Sequence, residues 1–192
     1  MQTTKHIPVM LEQSINGMNI QKKGIQCWLM VYFVEMWDIM VNMFKGIHNI
    51  NLDGKGRLTV PTKYRNTITD QVNGNMVVTI DSEDKCLLLY TSEAWNPIQK
   101  KINNLPSFNQ NARRIQRLLV GHAEDVEMDN NGRILLSKPL RVFAEMAKKI
   151  TMIGQGDKFE IWSDDIWQAR VNKWRTEETD DSKESVLSDI II

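Results

Sequence analysis

Two series of short apolar runs, in the same order and broken by the same turn chemistry, occupy the chain between residues 43 and 175. The first holds Leu58-Thr-Val60, Met76-Val-Val-Thr-Ile80 and Cys86-Leu-Leu-Leu-Tyr90. The second holds Ile134-Leu-Leu136, Ile150-Thr-Met-Ile153 and Lys158-Phe-Glu-Ile-Trp162. Runs of this length, rich in branched and aromatic residues and bounded by Gly, Asp and Asn, read as strands. Asp53-Gly-Lys-Gly56 and Asp129-Asn-Asn-Gly132 read as tight turns, because Gly and Asn tolerate positive φ and Asp can bond backbone two residues on. Asp81-Ser-Glu-Asp84 and Gly154-Gln-Gly-Asp157 read as hairpin turns. Lys63–Thr69 and Leu140–Ala147 look like short helices with Pro61 and Pro139 close to their first turns. Thr91-Ser-Glu-Ala-Trp95 and Ser163-Asp-Asp-Ile-Trp167 look like capped helix starts with acids in the first turn. Each copy thus predicts strand, tight turn, strand, short helix, strand, turn, strand, helix.

The repetition is residue by residue. Asn51-Leu-Asp-Gly-Lys-Gly-Arg-Leu-Thr-Val-Pro61 aligns with Glu127-Met-Asp-Asn-Asn-Gly-Arg-Ile-Leu-Leu-Ser137. At one constant offset Asp53 matches Asp129, Gly56 matches Gly132, Arg57 matches Arg133 and Arg65 matches Arg141; Trp95 pairs with Trp167 after a small deletion. A linking helix is expected over Ala112–Val120, with Ile115, Leu118 and Leu119 inside and Arg113, Arg114 and Arg117 outside. One copy, about 60 residues, could bury only roughly 60% of its unfolded surface. Two copies with interleaved strands make a workable core. The expected fold is mainly β with short helices. Trp95, Trp162 and Trp167, at matched positions, are expected in the core or at an interface.

Charge changes this picture through its distribution. The chain is formally neutral, with Lys+Arg 24 against Asp+Glu 24. Yet Lys45, Lys55, Arg57, Lys63 and Arg65 face only Asp53 between residues 45 and 65, and no acid occurs from Ala94 to Ala123. The acids gather instead at the end, from Thr176 to Ile192. Basic blocks can neutralise phosphates and release counterions; a merely solvated face is the other reading.

Catalytic and metal chemistry find no motif. Cys27 and Cys86 form no Cys-x-x-Cys pair, and His6, His48 and His122 have no ligand spacing. There is no His-Glu-x-x-His, phosphate loop or nucleophile–base pair, and Gly54-Lys-Gly56 and Gly154-Gln-Gly156 lack the helix of a nucleotide fingerprint. No enzyme activity, metal or cofactor is expected, and lone cysteines fit a reducing cytoplasm.

Residues 1–42 differ in kind. The apolar run Ile25–Val34 follows Lys22-Lys23, as in a signal peptide, but no small-x-small site follows. Glu35 and Asp38 end the run well short of the roughly 20 residues a membrane helix needs. The expectation is that translation begins at Met43, since Trp37-Asp38 must encode GGGA a short way upstream, as a ribosome-binding site would. A genuine extension that anchors to a membrane or partner is the alternative. The expected organisation is therefore an extension at 1–42, a first repeat with linking helix at 43–120, a second repeat at 121–175 and an acidic disordered tail at 176–192.

Taken together, Met43-Phe-Lys-Gly46, Asp53-x-Lys-Gly-Arg-Leu-x-Val-Pro61, Cys86-Leu-Leu-Leu-Tyr90, Gln116-Arg-Leu-Leu-Val-Gly-His-Ala123, Asp129-x-x-Gly-Arg-Ile-Leu-Leu136 and Lys158-Phe-Glu-Ile-Trp162 resemble the MraZ family. The resemblance runs from Met43 to about Arg175. It implies a double-split β-barrel of two AbrB-like repeats and assembly into rings. It also implies binding of short G-rich direct repeats upstream of the division and cell-wall gene cluster, in the cytoplasm at the nucleoid. It places DNA contact on Lys55, Gly56 and Arg57. Two features depart from the pattern: the extension before Met43, and Asn131 and Ser137 where the first copy has Lys55 and Pro61.

Arg57 is the expected reader, because a guanidinium bonds guanine O6 and N7 together and a two-stranded ribbon fits the major groove. Its other reading is a pair with Asp53 that only shapes the turn. Lys55 is expected on phosphate or a base edge, Gly56 to allow close backbone approach, and Lys63 and Arg65 to add basic surroundings. Asp53 orients the turn, while Asp129 and Arg133 shape the second hairpin or a subunit contact. The rival function is an oligomeric scaffold that binds a protein partner without specific DNA recognition.

Overall fold

The computed structural model describes residues 44–106 and 108–176. The extension 1–42, the expected start at Met43 and the acidic tail beyond Thr176 lie outside the described residues. In chain order the elements are β1 (Phe44–Asn51), β2 (Arg57–Thr59), α1 (Thr62–Val72), β3 (Asn75–Ile80), β4 (Leu87–Thr91) and α2 (Ser92–Asn103). Then come α3 (Gln110–Ile115), a wider π-helical turn (Gln116–Val120), β5 (Glu124–Glu127), β6 (Arg133–Leu135), α4 (Lys138–Phe143), β7 (Lys149–Gly156), β8 (Lys158–Ser163) and α5 (Asp164–Thr176).

The two copies exchange strands. A six-stranded sheet runs β1-β7-β8-β4-β3-β5, and β2 pairs with β6 in a separate two-stranded ribbon. All these pairings are antiparallel. Substituting matched elements leaves the order unchanged: β1 of copy one lies on β7 of copy two, β5 of copy two lies on β3 of copy one, and β4 meets β8 at the centre. The molecule therefore has an internal approximate twofold. Neither Asp-x-x-Gly-Arg turn closes the simple hairpin that its turn chemistry predicts. The strands entering and leaving each turn belong to different sheets and pair with the other copy.

Alternation along the strands explains the packing, since successive side chains point to opposite faces. In β4, Leu87 and Leu89 enter a core shared with Leu58, Val60, Ile134, Leu136, Phe159 and Ile161. Leu88 and Tyr90 point the other way, to a second cluster with Val77, Trp95, Ile102 and Trp162. The ribbon is the shared core's lid: Leu58 sits opposite Ile134, and both are fully buried. Trp95 and Trp162 are buried in the second cluster, with Trp167 partly buried against it, so the tryptophans pack as expected.

Local chemistry accounts for most boundaries. Thr91 caps α2 by accepting the Ala94 N–H at 3.2 Å. Asn73 ends α1 in the left-handed region, its N–H bonding Thr69 O at 2.9 Å. Three expectations need correction. Ile115 faces outward, 37% exposed, because the helix widens from α to π at Gln116 and turns its faces; Gly121 N–H reaches Gln116 O at 3.1 Å across the widened turn. The second short helix is Lys138–Phe143 and stops before Glu145, whose φ of 48° cannot continue it. Gly154 belongs to β7 rather than to a turn: β7 runs to Gly156 and only Asp157 separates it from β8.

Candidate nucleic-acid interface

The two Asp-x-x-Gly-Arg turns are built alike, with the addition in the second that Arg133 Nη2 also lies 2.8 Å from Asp129 Oδ2. In the first, Asp53 Oδ1 accepts from the Lys55 N–H at 2.9 Å and the Arg57 N–H at 2.8 Å. Asp53 Oδ2 accepts from Arg57 Nε at 2.8 Å. The backbone closes the loop: Asp53 N–H donates to Arg57 O and Gly56 N–H to Asp53 O, both at 2.9 Å. In the second, Asp129 Oδ1 accepts from Asn131 and Arg133 N–H at 2.8 and 2.9 Å, and Oδ2 from Arg133 Nε at 2.9 Å. One carboxylate thus organises each loop through three bonds. The Arg57 N–H, then its guanidinium, hold the Asp53 carboxyl down to about 2. The Asp129 carboxyl is lowered in the same way, the Arg133 side chain foremost. Both carboxylates stay charged at neutral pH.

The expected reader and the shaping pair coexist. Arg57 bonds Asp53 through Nε, one of the five donors a guanidinium carries. Its side chain remains 31% exposed. An arginine held at Nε has its orientation set before any ligand arrives.

Each loop is also braced from the other copy. Leu136 N–H donates to Gly56 O at 2.9 Å, and Val60 N–H to Gly132 O at 2.8 Å. Arg141 Nε bonds Leu136 O at 3.1 Å and its guanidinium lies against Gly56; a Cβ there would be 2.7 Å from Nε. Arg65 makes the mirror arrangement, with Nε on Val60 O at 2.8 Å and its side chain against Gly132. Gly56 has a φ of 85° as well. The close approach at Gly56 is thus made by Arg141 from within the chain. Gly54, in the same loop, has open space where a Cβ would go. Gly56→Ala is expected to cost about 1–2 kcal/mol from backbone conformation alone, plus displacement of Arg141, whereas Gly54→Ala should be neutral. Equilibrium urea unfolding of the two variants checks this; equal stabilities would contradict it.

The structure brings Lys55, Gly56, Arg57 and Asp53 together, and Asp129 with Arg133. It sends the other two candidates elsewhere. Arg65 sits on the second loop. Lys63 Nζ bonds Lys45 O at 3.0 Å and lies over the Tyr64 ring. Lys45 is six residues up β1 from Asn51, about 20 Å along an extended strand. The residues that replace Arg65 and Lys63 around the first loop come from the second copy. They are Arg141, and Lys148 and Lys149 beside β1: Leu52 N–H donates to Lys148 O at 2.8 Å, and Asn51 pairs with Lys149. The matched Arg65–Arg141 positions hinted at the exchange, but only cross-copy strand pairing reveals it.

Elsewhere the surface offers little chemistry. A shallow groove beside α3 is lined by Gln110, Arg113, Arg114 and Arg117. Among the described residues no cluster of three potential metal ligands occurs, and no helix is long and apolar enough to cross a membrane. Cys86 is buried, which pushes its thiol pKa well up and leaves it unreactive.

Comparison with known proteins gives a consistent result. The profile of the MraZ family, described as "MraZ protein, putative antitoxin-like", matches twice, over residues 43–118 and 119–189. A protein named transcriptional regulator MraZ from Legionella pneumophila (strain Corby) is 52% identical over 136 residues, covering 71% of this chain and 90% of that protein. One of the same name from Coxiella burnetii (strain RSA 493 / Nine Mile phase I) is 46% identical over 136 residues, with the same coverage. Another, from Marinomonas sp. (strain MWYL1), is 46% identical over 149 residues, covering 77% of this chain and 99% of that protein.

Proposed function

The chain belongs to the MraZ family, and from that premise we propose that it is a DNA-binding transcriptional regulator, not an enzyme, whose reading element is the loop Asp53–Arg57. The observation that carries this reading is the preorganised Arg57, held by Asp53 yet still partly exposed, two residues from the exposed Lys55. Arg57 bonds guanine in the major groove and Lys55 touches phosphate or a base edge. Arg65 and Arg141 brace the loops through Gly132 and Gly56. Lys63 adds charge at the far end of β1. Asp129 and Arg133 keep the second loop in shape or meet a neighbouring subunit.

The proposed target is a set of short G-rich direct repeats in the DNA upstream of the chain's own gene, at the head of the division and cell-wall cluster. The proposed setting is the cytoplasm, at the nucleoid. The working form is a ring of copies. Two similar but unequal halves favour head-to-tail contacts, which generate rings when the rotation closes. Light scattering at micromolar concentration should report a closed oligomer; a monomer would contradict the ring. Binding is tested with a labelled duplex of the upstream DNA and a shuffled duplex of equal composition. Preference for the upstream duplex supports the reading. Equal or absent binding would favour a scaffold for a protein partner.

A further inference from the structure

The internal twofold allows the two loops to be compared position by position. The backbone bond from Leu52 to Lys148 has its counterpart in the bond from Met128 N–H to Gly74 O, at 3.0 Å. The pair Asn51 and Lys149 has its counterpart in Glu127 and Asn75. Lys55 corresponds to Asn131 and Arg57 to Arg133, while the braces Arg141 and Arg65 match each other. What remains is a sharp inequality. The first loop is flanked by Lys55, Lys148 and Lys149; the second has Asn131, Gly74 and Asn75 there, with Glu127 as the added charge. Lys148 and Lys149 are exposed, and both come from the second repeat.

We infer that Lys148 and Lys149 are phosphate-contact residues, lent by the second repeat to the reading loop of the first. The inference rests on the DNA reading proposed above and deepens it. Residues directly opposite in an antiparallel pair share one face of the sheet, so Lys149 stands on the same exposed face as Asn51, two residues before Asp53. Lys148 lies across from Leu52, one residue nearer the turn. A groove-inserted loop has the phosphate backbones on its flanks, and phosphate contacts fix register without carrying sequence information. These lysines also explain how near-identical loops come to do unequal work. The bonding inside them is alike and the charge around them differs: Lys55 is the loop's own, and Lys148 and Lys149 are lent.

The test is binding of the full chain to the upstream and shuffled duplexes across a salt series. The variants are Lys148→Ala/Lys149→Ala, the charge-keeping Lys148→Arg/Lys149→Arg, and Lys100→Ala/Lys101→Ala on α2 as a charge-matched control. For the Ala pair, affinity should fall by the same factor on both duplexes. The slope of log K against log salt should flatten by about 0.9 for each lysine per engaged subunit. The Arg pair should keep the wild-type slope, and so should the control. An unchanged slope in the Ala pair, a loss confined to the upstream duplex, or an equal flattening in the control would overturn the assignment while leaving the DNA reading intact. Wild-type protein that binds neither duplex would overturn both, so the two failures are distinguishable.

Discussion

Replacing Arg57 by Ala should abolish preference for the upstream duplex while leaving a folded oligomer. One lost bidentate guanine contact is worth about 1–3 kcal/mol, or roughly 5- to 150-fold in affinity. In a ring that engages tandem repeats with several subunits, each engaged copy suffers the loss, and avidity multiplies it. Arg133→Ala should hurt less, although its loop has the same internal bonds. That loop carries Asn131 in place of Lys55 and lies beside Glu127. The paired measurement is affinity of both variants for both duplexes, with circular dichroism as the folding check. If folded Arg57→Ala keeps wild-type preference, the first loop is not the reader.

The second large effect lies beneath the loops. Leu58 is fully buried opposite Ile134 in the two-stranded ribbon, with Val60 and Leu136 beside them, also fully buried. This ribbon is one of the places where the copies pair, and both loops open directly from it. Leu58→Ala should leave a cavity and cost about 2–5 kcal/mol. A drop of roughly 10 °C in Tm is expected for a domain of this size. Leu135 is the internal control, since it lies between the buried Ile134 and Leu136 yet is 54% exposed. Leu135→Ala should change stability by less than about 0.5 kcal/mol. Equal destabilisation by the two substitutions would contradict the ribbon's place in the core.

Much of this was legible in the linear sequence, and the reasons differ by element. The repeat was readable because Asp53, Gly56, Arg57 and Arg65 recur in register at Asp129, Gly132, Arg133 and Arg141. The turns were readable because Asp and Gly carry their own local chemistry, and the bonds from Asp53 Oδ1 are that chemistry realised. Strand pairing was less accessible. Nothing local to Phe44–Asn51 says that it lies on Lys149–Gly156 rather than on its own neighbour, because backbone pairing is between residues about a hundred positions apart and β1 itself shows little alternation. The interleaving was anticipated from the small core of one copy, but not the partners. Hence the linear sequence does not associate Lys148 and Lys149, almost a hundred residues away, with the first loop, or Arg65 with the second. Ile115 departs from the expected apolar face for a different reason: periodicity assumes one helical pitch, and the pitch changes at Gln116.

The central claim is that Arg57 reads guanine from the major groove. Methylation interference on the upstream duplex tests it most directly, because guanine N7 is one of the two atoms a bidentate arginine uses. Wild-type protein should be excluded by methylation at N7 of particular guanines recurring once per repeat, and Arg57→Ala should show no such positions. Wild-type binding that is indifferent to N7 methylation, or an interference pattern unchanged in Arg57→Ala, would contradict the account.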